Sequence, residues 1–282
     1  MSVRIIVDST ADLPQNIKHR FSIVPLPLFF GEEEYLDGVT IDHKAFYEKL
    51  VESDVLPTTS QPTPDAFAQA YQAALEEGHE ALVITVSSQL SGTYQSACIA
   101  AEDFPGKVRV VDSLSVAIGT GALAQLALSL AEAGMNAEAI AQKLERQREN
   151  LKVIAMVDTL EYLKRGGRVS KTAAIAGELL SIKPVIGIRE GKVAILGKAR
   201  GSKQANNLLV KLINESGGVD FTKPVILGYT GLSDALLQKY ITDSAELWKE
   251  SPTPLTVTIV GSVIGTHAGP GAIAAAFFAK NI

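Results

Sequence analysis

The segment from residue 81 to residue 102 constrains the fold most, because it joins an apolar run, a hydroxyl-rich loop and a helix. The apolar run is typical of a buried strand, and helical spacing resumes at about Thr93. Ser91 and Gly92 directly precede that helix. The unpaired N–H groups and the positive dipole of a helix start suit an anion. The same residues also suit an ordinary helix N-cap, which is far more common than a ligand site.

Strands and helices alternate through the first half of the chain. Strands are predicted at 4–7, 22–30, 81–86 and 108–111, and helices at 42–51, 63–77, 93–102 and within 115–150. A short helix is also expected to start at Asp12. The prolines of the 22–30 run place it at a sheet edge or end it in an irregular segment. This alternation predicts a parallel sheet covered by helices on both faces.

The pattern changes near residue 152. Consecutive strands around Glu190-Gly191 indicate a β-hairpin. A single helix is expected at 233–249, and residues 263–271 are expected to be a loop before a last strand at 272–278. We therefore predict an α/β protein of two domains. Residues 1–152 form an N-terminal three-layer parallel-sheet domain, and residues 153–282 form a C-terminal domain with a mixed sheet flanked by helices.

Composition argues against several classes of function. The chain has 282 residues, 46% hydrophobic side chains and a net charge of −5, so a nucleic-acid partner is not expected. The one cysteine, Cys98, lies in a helical pattern and is expected in the core, and no Cys/His cluster has metal-binding spacing. Without a signal-peptide pattern or a membrane-length apolar run, we expect a cytoplasmic protein that does not insert stably into a membrane.

Four polar clusters lie at the ends of predicted strands and helices. They lie at residues 8–10, 58–61, 87–93 and 266–267, and residues 164–168 add a dense basic patch. In open α/β sheets, ligands bind at the carboxyl ends of the strands. Hydroxyl groups, one histidine and one or two arginines, with no strong acid among them, suit a carboxylate or a phosphate.

Each candidate also has a structural interpretation. His267, flanked by glycines, lies in a loop whose backbone can approach a ligand, or is a structural histidine. Arg168 binds an anion, pairs with a surface acid, or satisfies the carbonyls at a helix end. Three aspartates follow predicted strands, as caps and turn formers or as ligands: Asp8, Asp112 and Asp158.

Two familiar motifs lack their context. Residues 119–124 formally match G-x-G-x-x-A, but they lie inside a helical run well past the end of a strand. The chain has neither a Walker pattern nor a G-x-S-x-G elbow.

Taken together, several stretches resemble the DegV family of bacterial fatty-acid-binding proteins. They lie at residues 7–14, 59–62, 87–97, 163–170 and 265–271. They appear in family order and span nearly the whole chain. One departure is Thr63, where many members have serine; either residue can cap a helix.

The resemblance implies a long-chain fatty acid, such as palmitate, buried between two α/β domains. The N-terminal domain would supply the carboxylate-binding loops, and the C-terminal domain would cover the acyl chain. The family is regarded as the acyl-binding partner of a dihydroxyacetone-kinase-like fatty acid kinase. That ATP-dependent partner phosphorylates the carboxylate, and the acyl phosphate feeds phospholipid synthesis. The chain itself would then be no enzyme and would carry no cofactor or metal.

The resemblance also assigns residues by matching motif positions. Thr59 and Ser91 would hydrogen-bond the carboxylate, with His267 beside it. Supporting or nearby residues would be Ser60, Gly92, Thr93, Arg168 and Arg200. The two arginines would lie near the head group or the kinase-docking face.

An acyl chain needs room, and small side chains can provide it. Residues 172–177, in a predicted Ala-rich helix, and residues 272–276 are rich in alanine and glycine. Tight packing between helix and sheet favours the same residues, so both explanations stay open.

Two enzymatic alternatives remain. One is a hydrolase or transferase that uses Ser91 or Ser88 with His267. The other is a small-anion enzyme related to sugar kinases, which would need an open, wet cleft instead of an enclosed apolar one.

Overall fold

The computed structural model describes residues 2–169 and 182–280, and within these ranges the strands form three sheets. The strands are β1 (Val3–Asp8), β2 (Ser22–Val24), β3 (Pro27–Phe30), β4 (Glu33–Leu36), β5 (Thr58–Thr59), β6 (Glu80–Thr85), β7 (Val108–Asp112), β8 (Leu151–Met156), β9 (Ile182–Arg189), β10 (Lys192–Arg200), β11 (Ile226–Tyr229), β12 (Thr256–Ile259) and β13 (Ile273–Phe278). The helices are α1 (His43–Glu52), α2 (Pro64–Glu76), α3 (Thr93–Ala101), α4 (Ile118–Glu132), α5 (Ala137–Gln147), α6 (Glu161–Arg165), α7 (Gly201–Glu215), α8 (Ala235–Asp243), α9 (Ala245–Trp248) and α10 (Ser262–Ala268).

The first sheet is the predicted parallel sheet, with strand order β2-β1-β6-β7. Successive side chains of a strand point to opposite faces. Ile6 and Val83 therefore pack with α2 and α3, whereas Val7 and Ile84 pack with α4 and α5. The three-layer prediction is confirmed, because helices cover both faces.

The second sheet is mixed, as predicted, in the order β10-β9-β8-β13-β11-β12. Only β11 and β12 pair in parallel. Glu190 and Gly191 close the predicted hairpin with φ values of 50° and 77°, the left-handed geometry that a tight hairpin turn requires. Helices α7, α8 and α9 pack on one face, and α4 packs on the other.

A small antiparallel sheet, β4-β3-β5, was not predicted as a separate unit. The single strand expected at 22–30 is instead split into β2 and β3, which belong to different sheets. The physical reason is that Pro25 and Pro27 have no N–H to donate to a ladder. Strand β3 pairs Leu28 with Thr59 and so fixes the position of Thr59.

Helix α4 lies between the first two sheets and packs against strands of both. Two glycines of the discounted G-x-G motif make this possible. A Cβ at Gly119 would lie 2.4 Å from Val153 Cγ2, and one at Gly121 would lie 2.4 Å from the carbonyl oxygen of Asp12. These glycines allow α4 to pack closely against both neighbours.

The domain boundary near residue 152 remains a prediction.

Three local expectations were wrong. The helix expected from Asp12 is an irregular segment with a 3-10 turn at Lys18–Arg20, because the Asp12 carboxylate bonds to Gly261 instead of capping its own turn. The loop expected at 263–271 contains α10. Gly265 weakens the helical pattern there, yet its missing side chain admits the aromatic rings of α1. The single helix expected at 233–249 breaks into α8 and α9 at Ser244.

The Ala-rich segment 172–177 lies outside the described residues. In the ranges that are described, no helix is long and apolar enough to cross a membrane.

Replacing Gly121 by alanine tests the packing of α4. Alanine favours a helix over glycine, yet the added Cβ would collide with backbone. We expect Gly121→Ala to lower the free energy of unfolding by about 1–3 kcal/mol in urea titration, as overpacking usually does. The control is Ser129→Ala on the exposed face of α4, which should change stability by less than about 0.5 kcal/mol. A stabilised Gly121→Ala protein would contradict this packing.

Candidate functional site

A cavity of about 360 Å³ lies on the α4 face of the second sheet, and the predicted polar clusters meet at one part of it. Its polar lining residues include Thr10, Thr59, Ser60, Gln61, Ser91, Gly92, Arg168 and His267. The volume falls within the usual range of small-molecule sites. The structure therefore brings six of the eight predicted site residues to one place.

Thr59 and His267 form the contact at the centre of this polar part. Thr59 Oγ1 lies 3.0 Å from His267 Nε2, although the residues are 208 positions apart. The imidazole ring stands against the backbone of Gly166, where an added Cβ would lie 2.2 Å from His267 Nδ1. Nδ1 is buried and has no hydrogen-bond partner in the described part of the chain. One edge of the ring is thus bonded and the other is enclosed.

The His267 side chain is neutral at pH 7. Burial lowers its pKa to about 4, and the positive charge of Arg168 acts in the same direction. A neutral imidazole can donate from one nitrogen and accept at the other.

The loop before α3 is tied together by hydroxyl groups. Ser91 Oγ lies 2.8 Å from Thr93 Oγ1 and accepts a hydrogen bond from the Thr93 N–H at 3.3 Å. Thr93 is fully buried and supports Ser91 without lining the cavity. Gly92 leaves space for Gln61, since a Cβ there would lie 1.9 Å from Gln61 Oε1. Gln61 Nε2 donates to Ser96 Oγ at 2.8 Å, which ties the cluster at residues 58–61 to α3.

Arg168 lies at the cavity and is held by two carbonyl oxygens. Its Nε donates to the carbonyl of Leu90 at 3.1 Å, and one terminal nitrogen donates to the carbonyl of Gly166 at 2.6 Å. Since Gly166 is the C-cap of α6, the helix-end interpretation of Arg168 holds alongside its place at the cavity. Arg200, by contrast, is exposed at the end of β10 and does not line the cavity.

The rest of the wall is largely apolar, and leucine, isoleucine and valine side chains form most of it. Small residues lie among them, including Ala155, Gly187, Gly228, Ala272 and Ala274. In the segment 272–276, Ala272 and Ala274 line the cavity, whereas Ala275 and Ala276 pack in the core, so each of the two explanations applies to part of it. The two strand glycines were missed by the sequence reasoning, although a glycine inside a strand often marks close approach of another group. Gln61 and Gly166 lie within the family-like stretches, but the sequence predicted no role for either residue at the site.

The predicted aspartates bind backbone groups or a lysine. Asp8 accepts from the N–H groups of Thr10 and Val86, Asp112 accepts from those of Ser88 and Leu114, and Asp158 pairs with Lys183. Within the described ranges, no three His, Cys, Asp or Glu side chains come together as metal ligands. Burial also raises the pKa of the Cys98 thiol, which weakens it as a nucleophile.

A family profile described as "Uncharacterised protein, DegV family" matches residues 2–280. The chain belongs to the DegV family. A DegV domain-containing protein of Deinococcus radiodurans is 35% identical over 98% of this chain and 98% of its own. A Thermotoga maritima protein named as a fatty acid-binding protein is 33% identical over 97% of this chain and 96% of its own.

Comparison with solved structures also identifies the DegV fold. A DegV protein from Thermus thermophilus, described for its fatty acid binding, superposes with a TM-score of 0.88 at 35% identity. The match covers 99% of this chain and 100% of that chain. The DegV fold is therefore shown for this chain over nearly its full length.

The buried histidine predicts a specific pH dependence of stability. His267 has a pKa of about 4 in the folded protein against an ordinary value of 6.5. The unfolded chain therefore binds more protons between these values, so stability falls as the pH drops from 6.5 towards 4. We expect wild type to lose up to about 3 kcal/mol more unfolding free energy than His267→Gln over this window.

Urea titrations at pH 7 and pH 4 measure this difference. The exposed His19→Gln variant provides the reference for removing a histidine elsewhere. Equal losses in wild type and His267→Gln would show that His267 is not buried in the neutral form.

Proposed function

We propose that this DegV protein binds a long-chain fatty acid in the cavity, with the carboxylate at Thr59, Ser91 and His267. The single observation that carries the proposal is the contact between Thr59 and His267 at the polar part of a largely apolar cavity. Hydroxyl and imidazole donors suit a carboxylate, and aliphatic walls suit an acyl chain. The family relatives named for fatty acid binding point to the same ligand class.

The energetics favour a long chain. Each buried methylene contributes about 0.8 kcal/mol, so a C16 chain gains roughly 10 kcal/mol before the costs of binding. The carboxylate contributes less net energy, because it must leave water to reach the hydroxyl donors. Polar contacts then fix which end of the ligand faces Thr59, and apolar contact supplies most of the affinity.

We also propose that the protein presents this carboxylate to a separate dihydroxyacetone-kinase-like fatty acid kinase in the cytoplasm. The acyl phosphate formed by that partner would enter phospholipid synthesis. This part rests on the resemblance of the sequence motifs. Arg168 would lie at the head group, whereas Arg200, on the exposed end of β10, suits only the partner-facing role. In this proposal the chain is a binding protein without a cofactor or metal of its own.

The serine hydrolase alternative fits the geometry poorly. Ser91 Oγ bonds to Thr93, and His267 Nε2 bonds to Thr59. The other nitrogen of His267 has no orienting carboxylate among the described residues. An imidazole with a pKa of about 4 is also a weak general base at neutral pH. The enclosed apolar walls equally disfavour a sugar-kinase-like site for small polar anions.

Mass spectrometry of the native protein as purified tests the ligand directly. We expect a co-purifying C14–C18 fatty acid, and delipidated protein should take up added palmitate. Thr59→Val and Ser91→Ala should each weaken palmitate binding by about 1–3 kcal/mol, or about 5- to 150-fold, the usual cost of unpairing a charged acceptor. The matched control is Thr58→Val, since Thr58 neighbours Thr59 on β5 but is exposed and does not line the cavity.

Thr58→Val should bind palmitate like wild type. An apo mass together with no palmitate uptake would refute fatty-acid binding. Unchanged affinity in both Thr59→Val and Ser91→Ala would place the carboxylate elsewhere.

A turnover assay separates the carrier from the hydrolase. With p-nitrophenyl palmitate, the protein alone should release no p-nitrophenol above the buffer rate. With a dihydroxyacetone-kinase-like fatty acid kinase, ATP and palmitate, it should support formation of acyl phosphate. Ester cleavage that disappears in Ser91→Ala would establish the hydrolase instead.

A further inference from the structure

Helix α10, which carries His267, is too short to hold its own position. It has seven residues, and isolated helices shorter than about 12 residues are marginal in water. Its N-cap residue is Gly261, which has no side chain to bond the first N–H groups. Gly265 in its interior lowers the helix propensity further. The position of α10 therefore depends on contacts from elsewhere in the chain.

Two carboxylates from the beginning of the chain supply those contacts. Asp12 Oδ1 accepts a hydrogen bond from the Gly261 N–H at 2.7 Å, and Asp37 Oδ1 accepts one from the Ser262 N–H at 3.2 Å. Asp12 is only 4% exposed and Asp37 only 3%. Buried N–H groups rarely go unpaired, so these bonds fix the first turn of α10.

Helix α1 holds the same turn from a second side. Tyr47 Oη donates to the carbonyl of Val260 at 2.9 Å. A Cβ at Gly265 would lie 2.6 Å from Tyr47 Oη and 2.8 Å from the ring of Phe46. Helix α10 therefore cannot slide along α1 without breaking these contacts.

The direction of the His267 ring follows from the position of α10. Within the described residues, the only hydrogen bond of its ring is the one to Thr59, since Nδ1 has no partner. A shift of α10 would therefore move Nε2 away from Thr59 with no other polar contact to oppose it.

We propose that Asp12 and Asp37 are positioning residues, which hold α10 so that His267 presents Nε2 to Thr59 and to the ligand. The ligand part of this inference rests on the proposed function. The positioning part concerns the protein alone and is testable without a fatty acid.

The property that α10 needs from Asp12 is hydrogen-bond acceptance, not charge. Burial, together with the nearby charge of Asp37, holds the pKa of Asp12 well above its usual range. His43 also faces the start of α10: its Nε2 would lie 3.4 Å from a Cβ added at Gly261. A protonated Asp12 still accepts through Oδ1, and so would the amide oxygen of asparagine. Asparagine at position 12 should therefore keep the hydrogen bond from the Gly261 N–H, whereas alanine should lose it.

The experiment compares Asp12→Ala with Asp12→Asn in the full-length protein. The pKa of His267 is measured by NMR titration without ligand, with His267→Gln to assign the signal. In Asp12→Ala we expect it to rise by at least one unit, because a displaced α10 lets water reach the ring. Palmitate affinity should fall at least tenfold. Asp12→Asn should keep both values near wild type.

Asp8→Ala is the matched control for the titration. Asp8 is as buried as Asp12 and lies in the same segment, but it bonds to Thr10 and Val86 instead of α10. It should lower the melting temperature and leave the His267 pKa unchanged.

Two results would overturn the proposal. One is a wild-type His267 pKa in Asp12→Ala, even with a lower melting temperature. The other is an equal shift in Asp12→Asn and Asp12→Ala. If Asp12→Ala does not fold, Asp37→Ala and Asp37→Asn make the same test through Ser262. If wild type takes up no fatty acid, the proposed function fails, and the ligand-free His267 pKa still decides this inference.

Discussion

One partly buried polar contact, between Thr59 and His267, defines the polar part of the cavity. Each partner sits on an element that could not hold it alone, a two-residue strand and a seven-residue helix. Strand β5 is fixed by pairing with β3, and α10 is fixed by Asp12 and Asp37. Because a hydroxyl and an imidazole at such a site need hydrogen-bond partners, the contact joins the small sheet to the last helix. It lies among the polar residues that line a largely apolar cavity.

The cavity exists because several elements lack large side chains where they approach one another. Gly119 and Gly121 bring α4 close to the second sheet and to the segment around Asp12. Gly187 and Gly228 lie in strands of the cavity wall, and they serve close packing as well. An added Cβ would lie 2.7 Å from Leu196 Cδ1 at Gly187 and 2.9 Å from Ile118 Cγ2 at Gly228. The small side chains that line the cavity are alanines such as Ala155, Ala272 and Ala274. Closely packed interiors leave little other free volume, so a cavity of this kind depends on where small residues fall.

Apart from Arg168, the polar lining of the cavity, as far as the structure describes it, is uncharged at pH 7. Hydroxyl and amide groups contribute hydrogen-bonding atoms, and burial keeps His267 neutral. Two aspartates lie near this part of the chain. Asp8 accepts a hydrogen bond from the Val86 N–H, and Asp112 accepts one from the Ser88 N–H. Their negative charge is therefore directed at loop amides. Among the residues that the structure describes, Arg168 is the charged side chain that lines the polar part. Such an arrangement favours an anion that brings its own charge.

The sequence by itself determined the layers of the fold and most of the residues that meet at the cavity. Apolar runs alternating with helical spacing are local signals, and they located the parallel sheet, the Glu190-Gly191 hairpin and the N-cap at Thr63. The family motifs pointed to Thr59, Ser91 and His267 as residues of one site. The sheet, the hairpin and the N-cap could be predicted because each depends on residues that are near one another in the chain. The grouping of Thr59, Ser91 and His267 came instead from the family resemblance, since Thr59 and His267 lie 208 positions apart.

Only the tertiary structure decided how the small sheet, α10 and the interior cavity fit together. The split of the 22–30 run depends on which sheet accepts each half, and α10 depends on Asp12 and Asp37, which lie 249 and 225 positions before their partners. A pattern of side chains along the chain does not contain such distances. Gly265 weakens a helix in isolation, and the rings of Phe46 and Tyr47 make it the residue that fits. Long-range packing and hydrogen bonding therefore overrode local propensity at the very helix that carries His267.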